Sequence, residues 1–314
     1  MAALRKIIIR LLLVTSPCWV FCSYLEFKLN ALENSYSYKM NQFIVNEKAT
    51  ELLVLGNSEM LKGLNPSYLS SRGFNMAHVS QTYSIDEKIL AMYLDSMPNL
   101  HTVILGLSYL SFGENLETGE EAWRTAFYEK HYKLNLNQGF ELKNYAAIFR
   151  YTPYESLKIF LSGFKTNLTK GFQPNGYLLV PANEQGSLSD ENAMARATAH
   201  TAGLKESNKQ KSTEALGQII QMLAQKNISL WLVTPPLMKN YKSNLNEKWL
   251  SENQNLLDSM IKKNTSKIFV VSPETMNYPV FAESDFSDVN HLNEQGAQKF
   301  THYIDSLIKI QVTQ

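Results

Sequence analysis

The sequence predicts an α/β fold: a three-layer sandwich around a doubly wound parallel sheet, with a helical insertion after the third strand. Three observations predict it. Short, almost wholly apolar runs occur at 51–55, 101–107, 229–233 and 267–271. Segments with apolar residues at helical spacing alternate with them. The runs stop at glycine or proline: Gly56, Pro235-Pro236 and Pro273. Strands that are apolar on both faces imply a parallel sheet covered on both sides, with right-handed crossovers.

The elements follow in order. Arg5, Lys6 and Arg10 precede and interrupt an apolar stretch, Ile7–Ile9 and Leu11–Leu25, with Trp19 and Tyr24 toward its far end. That stretch is long enough to cross a bilayer if Arg10 snorkels, and its rings suit the interface. Residues 1–27 are therefore predicted to be an uncleaved signal anchor, with the N-terminus inside and the main domain outside the cytoplasmic membrane. A cleaved signal peptide is the rival reading. Residues 28–50, polar and aromatic, are predicted to be a juxtamembrane helix or linker. The domain then spans 51–314. Glu51–Leu55 is the first strand and Phe74–Val79 a weaker second. Ile85, Ile89, Leu90 and Tyr93 mark a helix over Thr82–Met97. His101–Leu107 is the third strand. An insertion at 109–206 breaks the rhythm. It is rich in aromatics, among them Trp123, Phe127, Tyr132, Phe140, Tyr145, Tyr151, Tyr154, Phe160 and Phe164, and it reads as several helices packed against the sheet, or as a cap that shapes a groove or touches the membrane. Then come a helix (207–226), the fourth strand (Ser229–Val233), a helix (247–263), the fifth strand (Lys267–Val271) and a last helix (Asn293–Ile310) carrying Phe300, Ile304 and Leu307 on one face.

Composition removes several function classes. The net charge is +1, which supplies no field for nucleic acid. Cys18 and Cys22, the only cysteines, lie in the apolar N-terminus, so the domain can hold neither a disulfide framework nor a cysteine zinc site. No Gly-x-Gly-x-x-Gly or phosphate-binding loop supports a nucleotide cofactor, and the histidines lack metal-ligand spacing, so no cofactor or metal is expected.

Two runs carry chemistry. Leu-Leu-Val-Leu-Gly-Asn-Ser-Glu (52–59) is a strand ending in glycine and serine; Asp-Val-Asn-His-Leu-Asn (288–293) puts an aspartate three residues before a histidine. A serine where a strand meets a helix exposes its hydroxyl in a crevice, with its own N–H available to a developing oxyanion. An aspartate on one imidazole nitrogen leaves the other free to accept a serine proton. Both runs belong at the carboxyl edge of the sheet, where such folds bind ligands. Ser58, Asp288 and His291 are thus the candidate nucleophile, orienting acid and base. Read separately, Asn57-Ser58 is also a good helix cap and the Asp–His pair an ordinary loop.

These residues resemble those of the SGNH, or GDSL-like, hydrolase superfamily. Val54–Glu59 resembles its nucleophile block, and Asp288–Gly296 its final Asp-x-x-His block followed by a helix with an early glycine. With the membrane anchor, the Gly-x-Ser-Glu run looks most like the branch holding the D-alanine transfer protein DltD and the alginate acetylation proteins. The resemblance covers roughly Glu51–Lys309, without the insertion. It implies an SGNH, flavodoxin-like fold and an extracytoplasmic serine esterase or O-acyltransferase acting on acyl groups of a cell-envelope or exported polysaccharide, with a polytopic acyltransferase as a possible partner. Two blocks depart. Asn75–Gln81 has no glycine where the family offers an oxyanion N–H, and Gly106-Leu107-Ser108-Tyr109 replaces Gly-x-Asn-Asp. The N–H groups of Ser58 and Ser80 and the side chains of Asn75 and Ser108 are the candidate oxyanion donors. The altered blocks keep a second reading open, a noncatalytic SGNH-like glycan-binding or assembly subunit of a membrane acyl-transfer complex.

Overall fold

The computed structural model describes residues 2–118, 120–136, 146–149, 153–262, 267–275 and 277–312. Phe140, Tyr145 and Tyr151, named above, and Lys263, at the end of one predicted helix, lie outside the described residues. The chain divides into two compact units, 39–122 with 171–314, and 1–38 with 123–170.

The larger unit is an α/β sandwich around a five-stranded parallel sheet, β1 (Leu52–Leu55), β2 (Gly73–Asn75), β3 (Thr102–Gly106), β4 (Ser229–Val233) and β5 (Ile268–Val271), in the order β2-β1-β3-β4-β5. In register, Leu53 faces Phe74 on one side and Val103 on the other, and Val103 faces Leu230. Every residue of β1 and β3 is buried, as the unbroken apolar runs require of central parallel strands. The direction of winding reverses between β1 and β3. Right-handed crossovers therefore send the helix after β1 to one face and the helices after β2 and β3 to the other. The packing follows: α4 (Tyr83–Tyr93) lies against α8 (Lys209–Gln225), while α3 (Ser58–Gly63) lies against α11 (Glu294–Val312). Ile85, Ile89 and Leu90 of α4 and Leu216, Ile219, Ile220 and Leu223 of α8 are their buried stripes.

Two boundaries in this unit differ from the sequence expectation by more than two residues, each for a local reason. The second strand ends at Asn75 rather than Val79, because the Asn75 side chain turns back onto α3 and Ser80 takes a left-handed conformation, φ +55°. The helix expected to reach Met97 gives way at Leu94 to a turn of 3-10 helix, as Pro98 disfavours helical backbone at Met97.

The smaller unit contains α1 (Ala2–Ala31), α5 (Thr125–His131) and α6 (Pro153–Leu161). The stretch expected to link anchor and domain is largely helical. α1 runs four residues past position 27, and α2 (Ser35–Asn46) follows, the division between units falling inside it. α1 is long and apolar enough to span a membrane, and its apolar window is wholly unburied. The 109–206 insertion is divided: 123–170 belongs to the smaller unit, and 171–206, with α7 (Asp190–Gly203), to the larger.

Candidate active site

Ser58 follows β1 at the point where the winding reverses, the place where ligands bind in such sheets. Gly56 turns the chain with φ +121°, a conformation other residues adopt only under strain, and a Cβ there would also press on the Gly106 backbone at 3.2 Å. The Asn57 side chain accepts from the Glu59 N–H (3.0 Å) and caps α3, so Ser58 is its first residue. The opposite half of the site is a hairpin where the sequence predicts a loop. β6 (Phe286–Asp288) and β7 (His291–Leu292) pair antiparallel with Asp288 opposite His291. The three-residue spacing is thus a two-residue hairpin loop that sets acid and base side by side. The hairpin sits on the start of α11, whose cap Asn293 accepts from the N–H groups of Gln295 and Gly296. A Cβ at Gly296 would lie 2.1 Å from the Asp285 carbonyl oxygen, which is why only glycine fits there.

The two halves meet. His291 Nε2 lies 2.8 Å from Ser58 Oγ, and His291 Nδ1 lies 2.9 Å from both carboxylate oxygens of Asp288. Asp288 Oδ1 also accepts from the N–H groups of Asn290 (3.1 Å) and His291 (2.9 Å). Burial pushes the Asp288 carboxyl up, but its hydrogen bond and charge interaction with His291, aided by Lys62, outweigh burial and hold it well below the usual carboxylate range. Burial pushes the His291 imidazolium down. The Asp288 hydrogen bond opposes this, while Lys62 and Arg196 add to it. The result is an ionised acid beside a neutral base at neutral pH, the arrangement needed to take a proton from serine.

Of the four oxyanion candidates, the structure leaves two with a donor available. The N–H groups of Ser58 and Ser80 make no hydrogen bond among the described residues. Ser80 lies two residues after His78, whose N–H donates to the Gly56 carbonyl (3.1 Å) and lays this loop beside the nucleophile turn. The buried Lys39 amino group, donating to the Ala77 carbonyl, holds the same loop. Asn75 and Ser108 are corrections. Asn75 donates to the carbonyls of Met60 (2.9 Å) and Leu64 (2.8 Å) and accepts from Ala77 N–H, so it anchors the far end of α3. Ser108 Oγ accepts from Asn57 Nδ2 (3.0 Å) and Leu110 N–H (3.1 Å) and bonds to Glu59, which ties β3 to the nucleophile turn.

Several neighbours escaped the sequence reading. Lys62 could have been found, since it stands four residues after Ser58 on the same face of α3. Arg196 and His200 share a face of α7 and interact electrostatically with His291, but nothing in the sequence ties the insertion to the site. Burial, with Arg196 and His291, lowers His200 to about 4, and its Nδ1 lies 2.7 Å from the Tyr241 hydroxyl. Glu59 is 2 % exposed, and burial pushes it up to about 7 against its bonds to Asn290 and Ser108. With Ser108, Thr234 and Pro235-Pro236 it lines a cavity of about 1160 Å³ beyond the carboxyl ends of β3, β4 and β5. No His/Cys/Asp/Glu group among the described residues has the makings of a metal site.

Fold and site together define an α/β protein carrying a hydrogen-bonded serine–histidine–aspartate set at the carboxyl edge of its sheet. No family model matches the chain, and no curated protein matches it.

Proposed function

We propose that the chain is a membrane-anchored serine esterase or O-acyltransferase of SGNH type, acting outside the cytoplasmic membrane on acyl groups of a cell-envelope or exported polysaccharide. The observation that carries this reading is the unbroken hydrogen-bonded line from Asp288 through His291 to Ser58, its serine link 2.8 Å long. The nucleophile turn and Asp-x-x-His hairpin also support the SGNH assignment. So does Ser80, whose left-handed backbone keeps an N–H-presenting turn where that superfamily has glycine.

In this mechanism Ser58 Oγ attacks the acyl carbonyl carbon as its proton passes to His291 Nε2. The N–H groups of Ser58 and Ser80 receive the oxyanion. The bond to the leaving alcohol breaks as His291 returns the proton to it, leaving acyl-Ser58. An acceptor hydroxyl, of water or a sugar, then gives its proton to His291 and attacks, and Ser58 recovers that proton on release. Asp288 holds the imidazole and stabilises its cation throughout. The cavity of about 1160 Å³ is lined by Glu59, the neighbour of Ser58, and not by Ser58, Asp288 or His291, so the acceptor is left as water or a sugar hydroxyl.

The test is labelling of the folded, full-length protein with a fluorophosphonate. Covalent label on Ser58 is expected. Its absence in a folded sample would favour the noncatalytic subunit, a reading that draws support from the commitment of Asn75 and Ser108 to structural bonds.

The same geometry predicts a pH dependence. The imidazole must be neutral to act as base, so kcat/KM falls as pH drops through the His291 pKa, which lies below 6.5. Lys62 and Arg196 disfavour the imidazolium, so removing either charge raises that pKa. Lys62→Met should therefore move the acid limb of the profile to higher pH. A limb that stays in place or moves down would contradict this electrostatic account.

A further inference from the structure

Outside α1, exposed apolar side chains gather on α6 among the described residues. Tyr154, Leu157 and Leu161 are 75 %, 55 % and 73 % exposed. At about 100° per residue they fall within a 60° arc, with Ile159 on the other side of the helix. Ile159 is buried with Leu29 of α1 and Ala147. Glu26 of α1 accepts from the N–H groups of Ala147 (2.9 Å) and Ile148 (3.0 Å). Rings complete the attachment. Phe160 meets Phe21 edge-on at 5.6 Å, Phe164 meets Tyr24 at 6.0 Å, and Lys28 Nζ lies within 6 Å of the Tyr24 and Phe164 rings.

These contacts fix a depth. The run from Ile7 to Tyr24 rises about 26 Å at 1.5 Å per residue, close to the roughly 30 Å of a bilayer's hydrocarbon. If α1 spans, Phe21 and Tyr24 stand at the outer boundary of the hydrocarbon, and the rings of Phe160 and Phe164 stand beside them. Three exposed apolar side chains on one face of a helix held at that level are stable against acyl chains and costly against water. Lys158 and Lys165, both exposed, are available to phosphate headgroups.

We propose that α6 is a second membrane-contacting element, lying along the outer interface with Tyr154, Leu157 and Leu161 in lipid. The inference rests on α1 being a membrane span and is independent of the esterase reading. The occupant of this face is the bilayer itself, because the contacts that carry α6 join it to the outer end of the apolar run of α1.

The test uses the full-length chain with Cys18→Ser and Cys22→Ser, reconstituted in phosphatidylcholine–phosphatidylglycerol vesicles. Single nitroxide labels go on Leu157→Cys, Leu161→Cys and, as reference, Val280→Cys on the sheet-bearing unit, where Val280 is 87 % exposed. Labels at 157 and 161 are expected to collide several-fold more with oxygen, relative to a water-soluble nickel complex, than the label at 280. Carbonate extraction reports on α1 separately. Protein that stays in the membrane while 157 and 161 match 280 overturns the placement of α6. Protein that extracts removes the span on which the placement rests and overturns it too. Spin–spin broadening between labels would overturn it in favour of a second copy covering this face.

Discussion

On the proposed mechanism, Ser58→Ala is expected to lower kcat for hydrolysis of a nitrophenyl ester by about 10⁴- to 10⁶-fold, the range lost when a serine hydrolase loses its nucleophile. The reason is geometric. Ser58 Oγ is the atom 2.8 Å from the imidazole, and no other hydroxyl among the described residues is hydrogen-bonded to His291 Nε2. His291→Ala is expected to cost about the same, and the double variant little more than either single one, since groups that act as a unit are not additive. Asp288→Asn tests a different link. The carboxylate accepts from the N–H groups of Asn290 and His291 as well as from the ring, so an amide disturbs the hairpin and turns an N–H toward Nδ1. A loss of about 10⁴-fold is expected, as when the orienting aspartate of a serine protease becomes asparagine. Steady-state kinetics on variants whose circular dichroism matches the parent decides the matter. Undiminished turnover by Ser58→Ala would remove the mechanism altogether.

The sheet was legible because its signal is local. Central parallel strands are buried on both faces, so β1, β3 and β4 announce themselves as unbroken apolar runs between turn residues. Ser58 and the Asp288–His291 pair were legible because each lies in a short motif, a strand-to-helix turn and a three-residue Asp–His spacing, although the hairpin that realises that spacing was not. What failed was everything that depends on tertiary partners. Asn75 is an available amide in the sequence and a doubly committed clamp on α3 in the structure. Ser108 became a tie to Asn57. The union of α1 with 123–170 in one unit joins segments nearly a hundred residues apart and leaves no periodic trace. Arg196 and His200 reach the site only because the insertion divides after Lys170 and its second half belongs with the sheet.

Two carboxyls near the nucleophile work against stability, and this yields the second large effect. Glu59 and Asp86 are 2 % and 0 % exposed, and burial pushes both up to about 7 from 4.5 and 3.8. Asp86 Oδ1 accepts from Gly56 N–H (3.1 Å) and Gln81 Nε2 (2.5 Å), while Asp86 Oδ2 and Glu59 Oε2 have no hydrogen-bond partner among the described residues. The sign follows from proton uptake. Below about pH 3 both groups are largely protonated, folded or unfolded. Between pH 4 and 7 the unfolded chain ionises while the folded one keeps its protons, so rising pH favours unfolding by about 1.4 kcal/mol per unit for each group. The contribution levels off above 7 at on the order of 3 kcal/mol each. His200 and His291, both lowered, act oppositely, stabilising the fold as pH rises toward 6.5, and this masks the slope in the parent protein. The difference between variant and parent is free of that masking. Glu59→Gln with Asp86→Asn keeps both shapes and removes both titrations. Its melting temperature relative to the parent should therefore rise steadily from pH 4 to pH 7 and stay flat above. A pH-independent difference would mean that the two carboxyls ionise normally in the fold. A stabilised variant with slower turnover would identify the pair as groups held at the nucleophile turn at the expense of stability, the trade expected where a buried site must hold a proton close to its reacting atom.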